Sequence, residues 1–242
     1  LSVAQLCDAH PLTSLLATDG VFSMDGDVAP LAVLARLCRE RECWLLVDDA
    51  HGIGVLGPGG GGCVDAAGLT SDDVPLLVGT LGKAFGSFGA FVAGDAEVIE
   101  FVMQRARPYI YTTALPPAVA AASRAALRLI RTEPWRRAHL TRLIARFRAG
   151  AAQLFGTQSG LKLMDSATPI QPLLVGTEQR ALELGAALRS RGYWVGAIRP
   201  PTVPAQTSRL RITLSAAHSE PDIDQLLEAL ATSWRELTPL AA

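Results

Sequence analysis

Three short apolar runs constrain this chain more than any other feature: CWLLVDDAH (Cys43–His51), PLLVGTL (Pro75–Leu81) and GAFVAG (Gly89–Gly94), each bounded by Gly, Pro or Asp. They are too short for helices that must cover a core, and they lack the apolar-polar alternation of a half-solvated strand. Runs of this kind read as buried strands of a mostly parallel sheet. Such a sheet needs helices on its faces. LLATDGVF (Leu15–Phe22) reads as a further strand, and PLAVLARLCRERE (Pro30–Glu42) as an amphipathic helix with Pro30 near its first turn and Asp27 as its cap.

Two long helical patterns follow, PPAVAAASRAALRLIRT (Pro116–Thr132) and WRRAHLTRLIARFRAGAAQLF (Trp135–Phe155), separated at Pro134. The alternation then restarts: strand IQPLLVG, helix TEQRALELGAALRSRG, strands YWVGAI and RLRITLS, and a last helix opened by Ser219 and Pro221. The expected fold class is α/β, with residues 1–134 as part of a large, mostly parallel sheet domain and residues 135–242 as a smaller C-terminal α/β domain.

A chain of 242 residues, 49% apolar and 19% charged with a formal net charge of −1, has neither the charge for nucleic acid nor the apolar run for a membrane span. The arginines from Arg124 to Arg148 recur at helical spacing and read as a solvated face. The four cysteines, Cys7, Cys38, Cys43 and Cys63, form no CxxC pair and have no histidine at zinc-ligand spacing, so reduced thiols and no metal are expected. Reduced thiols suit a cytoplasmic protein; LSVAQLCDAHPL lacks the layout of a signal peptide, but it opens on Leu1 rather than Met, so the true start is expected upstream.

Several motifs imitate known sites. GIGVLG (Gly52–Gly57) satisfies G-x-G-x-x-G, but PGGGGC follows where a helix should open, so GPGGGG reads as a flexible surface loop. WLLVDD would need a Walker A partner, and LLVGTLGK has Leu77 at the first glycine position and Ala84 after the lysine. No G-x-S-x-G elbow is present, and His10, His139 and His218 read as structural or surface residues.

Chemistry gathers at VDDAHG, with Asp48 and His51, and at TLGKAFG, with Lys83. In an open parallel sheet, ligands bind beyond the carboxyl ends of the strands. Each residue alone has an ordinary reading: Lys83 as a loop lysine reaching for water, Asp48 as a turn acid, His51 as a turn histidine. Together they suit pyridoxal phosphate (PLP). A lysine amine forms a Schiff base with its aldehyde, and a carboxylate at the pyridine nitrogen keeps the ring an electron sink.

DGVFSMDGD, LLVDDAHGIGVLG, TLGKAFG, YIYTTALPPA and AIRPPTVPAQTSRLRITLSAAH resemble segments of the α-oxoamine synthases, fold-type I PLP-dependent enzymes. IRPPTVP is most similar to the biotin-pathway branch. The resemblance implies that Lys83 carries the cofactor and moves the substrate α proton, Asp48 pairs with the pyridine nitrogen, and His51 and Ser23 lie near the phenolic oxygen. It implies Thr80 as a phosphate ligand, and Thr112 and Thr113 as threonines reaching a neighbouring subunit's phosphate in a homodimer with shared sites. Arg199 would hold the amino acid's carboxylate, with Thr202 beside it. The implied reaction condenses L-alanine with a pimeloyl thioester and releases carbon dioxide. Related synthases use glycine or serine with another acyl-CoA, and a truncated non-catalytic homologue would share the same motifs. The family also carries an N-terminal phosphate loop and a ring-stacking histidine with no counterpart here, and Gly61 stands where relatives have arginine.

Overall fold

The structure is a computed structural model in which Gln5 and residues 14–155 and 160–238 are described. Cys7 and His10 lie outside them. The chain forms two compact units: residues up to Phe22 with Val28–Pro134, and Ser23–Asp27 with Trp135 onward.

In the first unit, β1 (Leu15–Asp19), β2 (Trp44–Asp48), β3 (Leu76–Thr80) and β4 (Ala90–Gly94) form one sheet in that order. β1, β2 and β3 are parallel, with Asp19 opposite Asp48 and Asp48 opposite Val78, so all three strands end at one edge. β4 returns antiparallel along β3. Leu45 and Val47 are fully buried, as the apolar run requires, whereas β4 is mostly exposed.

α1 (Leu31–Glu40) packs Leu31, Ala35 and Cys38 inward. Its N-cap is Pro30, and no side chain caps it, so Asp27 does not take the expected role. The first strand is also shorter than LLATDGVF suggests: the chain leaves the sheet at Gly20, and Val21 keeps only a bridge to Val28. The loop GPGGGG is closed by its own hydrogen bonds rather than loose. Gly54 N–H donates to Gly60 O (2.8 Å), Gly62 N–H to Leu56 O (3.0 Å), and Asp65 Oδ2 accepts from Gly59 and Gly61 N–H. A short helix α2 (Cys63–Ala66) follows it. After β4 come α3 (Ala96–Arg105), capped by Asp95, then α4 (Arg107–Ile110) and α5 (Pro117–Thr132).

The second unit holds α6 (Trp135–Leu154) and a second sheet of order β5–β6–β8–β7, made of β5 (Lys162–Leu163), β6 (Ile170–Gly176), β7 (Gly196–Ile198) and β8 (Ser208–Thr213). Every pairing in it is antiparallel. β7 starts only at Gly196, because Tyr193 and Trp194 leave the sheet: Trp194 is 81% exposed, with the Arg189 guanidinium 4.0 Å over its ring. α7 (Glu178–Ser190) is capped by Thr177. α8 (Glu220–Leu237) opens on a capping box in which Ser219 and Asp222 bond reciprocally, with Pro221 in the first turn. Phe147, Leu143, Leu173, Leu184, Leu210 and Leu230 are fully buried in this unit. Among the described residues no helix is long and apolar enough to cross a membrane.

Candidate active site

Asp48 is the last residue of β2 and Thr80 the last of β3, so the parallel register brings both to the carboxyl edge of the sheet. Asp48 is half-buried, and its Oδ1 accepts from Ala50 N–H (3.0 Å), which turns the chain immediately after the strand. His51 sits half-buried in that turn, held by Gly52 and Ile53 N–H donating to Asp49 O (both 3.1 Å).

Lys83 lies three residues beyond β3 in a loop laced by Ser87 N–H to Leu81 O (2.8 Å), Leu81 N–H to Gly89 O (2.8 Å) and Gly86 N–H to Lys83 O (2.9 Å). Gly86 has φ +59°, a conformation a side chain would oppose, so glycine is needed there. Gly82 needs no such freedom. The space around this loop is open: a Cβ at Gly86 would meet nothing within 4 Å, and one at Gly82 nothing nearer than 3.6 Å. Lys83 is exposed. An exposed amine in the loop after β3, with a carboxylate and an imidazole at the end of the adjacent parallel strand β2, suits a bound group with a carbonyl, an aromatic ring and an anionic arm. Thr80 fits less directly. Its hydroxyl donates to Gly89 O (3.2 Å) and accepts from Gly82 N–H (3.2 Å), so it would have to release Gly89 to donate to a phosphate.

Thr112 and Thr113 follow α4 and are exposed; the Thr112 hydroxyl donates to Pro108 O within its own turn. The other expected residues belong to the second unit. Ser23 is half-buried, with its carbonyl accepting from Arg211 Nε (2.6 Å). Arg199 directly follows β7, and its Nη1 is paired with Glu178 Oε1 (2.9 Å), so a substrate carboxylate would replace an existing partner. Thr202 closes a turn through its N–H to Arg199 O (3.1 Å) and is exposed. The structure thus gathers Asp48, His51, Thr80 and Lys83 on one strand edge, and Ser23, Arg199 and Thr202 in the other compact unit.

Asp49 was missed by the sequence reading. It is fully buried, its Oδ2 accepts from Cys63 N–H (2.6 Å), and its Oδ1 has no hydrogen-bond partner among the described residues. Burial holds its carboxyl above the usual range, with contacts to Cys63 and Val64 offsetting part of that and the charge of Asp48 adding to it. Burial, and then the Asp49 carboxylate, push the Cys63 thiol up as well. A Cβ on Gly20, Gly52 or Gly62 would collide with this carboxyl. Alternation along β2 could have revealed it, because Asp49 shares parity with the buried Leu45 and Val47 while Asp48 does not. Gly79 is also required: a Cβ there would strike the Phe91 ring and Ile53 Cδ1 (2.7 Å), which lets β3 lie close beneath the His51 loop.

A parallel sheet with acid and imidazole after one strand, a lysine loop after the next and an antiparallel closing strand is the architecture of the fold-type I PLP-dependent transferases. Solved relatives bear this out. The chain matches the serine palmitoyltransferase of S. paucimobilis, solved with a bound PLP–myriocin aldimine, at TM-score 0.88 and 29% identity, over 97% of this chain and 58% of that one. It matches 8-amino-7-oxononanoate synthase from Francisella tularensis at TM-score 0.81 and 30% identity, over 98% and 67%.

The profile of the family Aminotransferase class I and II matches residues 3–230, and the chain belongs to that family. It is 59% identical over 237 residues to the 8-amino-7-oxononanoate synthase of Pseudomonas aeruginosa (strain PAO1), and 62% identical over 223 residues to that of Ectopseudomonas mendocina (strain ymp). These matches cover 98% and 92% of this chain but 58% and 56% of the relatives, so the chain spans little more than half their length.

Proposed function

We propose that this chain serves an 8-amino-7-oxononanoate synthase activity: PLP-dependent condensation of L-alanine with a pimeloyl thioester, releasing carbon dioxide and the free thiol carrier, in biotin biosynthesis. The observation that carries the proposal is the strand-edge array of Asp48, His51, Thr80 and Lys83 in a chain about 59% identical to synthases of that name. The first unit is then part of the large cofactor domain, and the second is the small domain.

Bound at this edge, PLP supplies an aldehyde for the lysine and a ring that takes up the electron pair left at the substrate's α carbon. Asp48 keeps a proton on the pyridine nitrogen, its Ala50 hydrogen bond fixing the carboxylate's direction. Lys83, as free amine, accepts the α proton and returns one later. His51 and Ser23 hold the phenolic oxygen, and Thr80 turns its hydroxyl to the phosphate. Arg199 exchanges Glu178 for the carboxylate of alanine, with Thr202 beside it, and so orients the Cα–carboxylate bond whose later cleavage releases carbon dioxide.

A second copy of the chain completes the site through Thr112 and Thr113. Tyr109, Tyr111 and Leu115, 62%, 75% and 42% exposed, surround these threonines with the aromatic and aliphatic surface that homodimer interfaces use. The protein works in the cytoplasm. Identity near 59% to the alanine-using synthases, against 29% to the serine palmitoyltransferase of S. paucimobilis, supports alanine over serine.

The test is spectroscopic and then chemical. PLP should give a lysine-dependent visible band that Lys83→Ala abolishes, and alanine with pimeloyl thioester should yield the amino-oxo product by mass spectrometry. A band that survives Lys83→Ala overturns the site. Turnover with glycine or serine in preference to alanine overturns the substrate.

A further inference from the structure

The loop that carries Lys83 is fastened to α5 by hydroxyls. Ser87 Oγ donates to Val119 O (3.3 Å), and Ser123 Oγ lies 2.9 Å from both Ser87 Oγ and Val119 O. Two hydroxyl protons are thus shared among three oxygens, so each serine needs the other to complete the triangle. Val119, Ser123 and Ile130 recur at helical spacing and lie on a half-buried face of α5. Ser87 is half-buried too, so the triangle is partly shielded from water.

Apolar contacts flank it. A Cβ on Gly54, in the turn after His51, would meet Ala84 Cβ at 2.8 Å and Ile130 Cδ1 at 3.2 Å, so the residue after Lys83 and α5 both close on that glycine. At the far end of the loop, a Cβ on Gly89 would meet Leu115 Cδ1 at 3.3 Å and Leu81 Cδ1 at 3.8 Å. Gly89 O accepts from Leu81 N–H (2.8 Å) and from the Thr80 hydroxyl (3.2 Å). Leu115 follows Thr112 and Thr113 and leads through Pro116 into α5. The lysine loop, the threonine segment and α5 are therefore one packed piece of the first unit.

We propose that Ser87 and Ser123 are positioning residues that latch the Lys83 loop to α5, and that Leu115 pins the other end of the same loop. The amine is thereby aimed by a helix whose own approach carries Thr112 and Thr113. The inference rests on the reading above for what Lys83 and the threonines do, and on the contacts alone for the latch. On that reading, a phosphate of the second copy gripped by these threonines also steadies, through Leu115 and α5, the lysine of this copy's own site.

The chain has two lysines, Lys83 in this loop and Lys162 in β5, so a lysine-specific endoproteinase reads the loop and carries its own control. A protease takes extended backbone. Cleavage after Lys83 therefore requires the loop to free Ser87 N–H from Leu81 O and Gly86 N–H from Lys83 O, and its rate tracks the open population. Without cofactor and at low protein concentration, Ser87→Ala should speed that cut about fivefold, the ratio for one lost net hydrogen bond, and Ser123→Ala nearly as much. The double variant should add nothing to Ser87→Ala, and Ser123→Thr, which keeps the hydroxyl, should cut at the parent rate. Leu115→Ala should speed the cut as well, while cleavage after Lys162 stays constant throughout. Parent rates in both Ser87→Ala and Ser123→Ala overturn the latch, as does a double variant whose factor is the product of the two. A cut quickened only in step with a fall in the urea midpoint is unfolding of the unit and overturns it too. A parent rate in Leu115→Ala overturns the pin.

The positioning is read on the PLP-loaded protein. Ser87→Ala should shift the pH midpoint of the lysine-dependent visible band, and Ser123→Thr should leave it in place. An unshifted midpoint beside a faster cut overturns the positioning role. A parent protein without a lysine-dependent band overturns instead the role given to Lys83, and the cleavage rates still decide the latch.

Discussion

The helices of the two units make opposite use of similar sequences. α3, α4 and α5 in the first unit bury no residue at all, whereas α6 in the second buries Leu140, Leu143, Ile144, Phe147 and Ala151. The amphipathic pattern of α5 is sharper than that of α6, so pattern alone does not decide burial. What decides it is the opposing surface. α6 faces α8, whose Leu226, Leu227 and Leu230 close a core from the other side, while Leu127 and Leu129 of α5 remain 45% exposed. The second unit is stabilised by its own interior, and the far half of the first unit presents apolar side chains to the outside.

The largest effect expected from this contrast is at Phe147, fully buried in the second unit. Phe147→Ala should cost about 3–5 kcal/mol, because the cavity it leaves is walled by packed leucines. Urea denaturation followed by helix signal measures it. A loss under about 1 kcal/mol would mean that the core relaxes and the contrast is weaker than the burial implies.

Asp49 gives the first unit a buried liability of its own. Its folded-state carboxyl titrates above the unfolded one, so the unfolded chain releases its proton first as pH rises. The resulting penalty is absent below the unfolded carboxylate range, and it grows as pH climbs toward the raised folded value. Asp49→Asn, which keeps an oxygen for Cys63 N–H, should therefore flatten the decline in the first unit's stability as pH rises above the ordinary carboxylate range. Denaturation midpoints across that range check it. A decline as steep as in the parent would show that Asp49 is ionised in the fold, despite its unpaired Oδ1.

Ser219 tests the second unit more gently. Its capping box ties two backbone N–H groups at the start of α8, and Ser219→Ala should cost about 0.5–2 kcal/mol. That helix start was legible from Ser219 and Pro221 alone, as were the three strands, the burial of β2 and the placement of Asp48, His51 and Lys83 at or after strand ends, because each is a local signal. The expected burial of GAFVAG does not hold, since β4 is mostly exposed. The antiparallel return of β4 and the all-antiparallel second sheet were not legible, since register is set by partners distant in sequence. For the same reason nothing local showed that Ser23 would be held by Arg211, a residue 188 positions away. Asp49 was the exception: strand parity with the buried Leu45 and Val47 carried the signal.

The smallest expected effect is the sharpest test of the comparison. Leu127 sits in a strongly amphipathic helix, yet it is nearly half exposed, so Leu127→Ala should change stability by no more than about 0.5 kcal/mol. The same substitution at Leu143, fully buried in α6, should cost about 2–5 kcal/mol. The two variants remove the same atoms from the same type of element, so the difference between them isolates the opposing surface. If a second copy covers the region around Thr112 and Thr113, Tyr111→Ser should weaken self-association in sedimentation while leaving the urea midpoint at low protein concentration nearly unchanged, because the Tyr111 ring is exposed and its contact with the Arg107 guanidinium is itself at the surface. A midpoint that drops with Tyr111→Ser at every concentration would mean that this face is already covered within one chain.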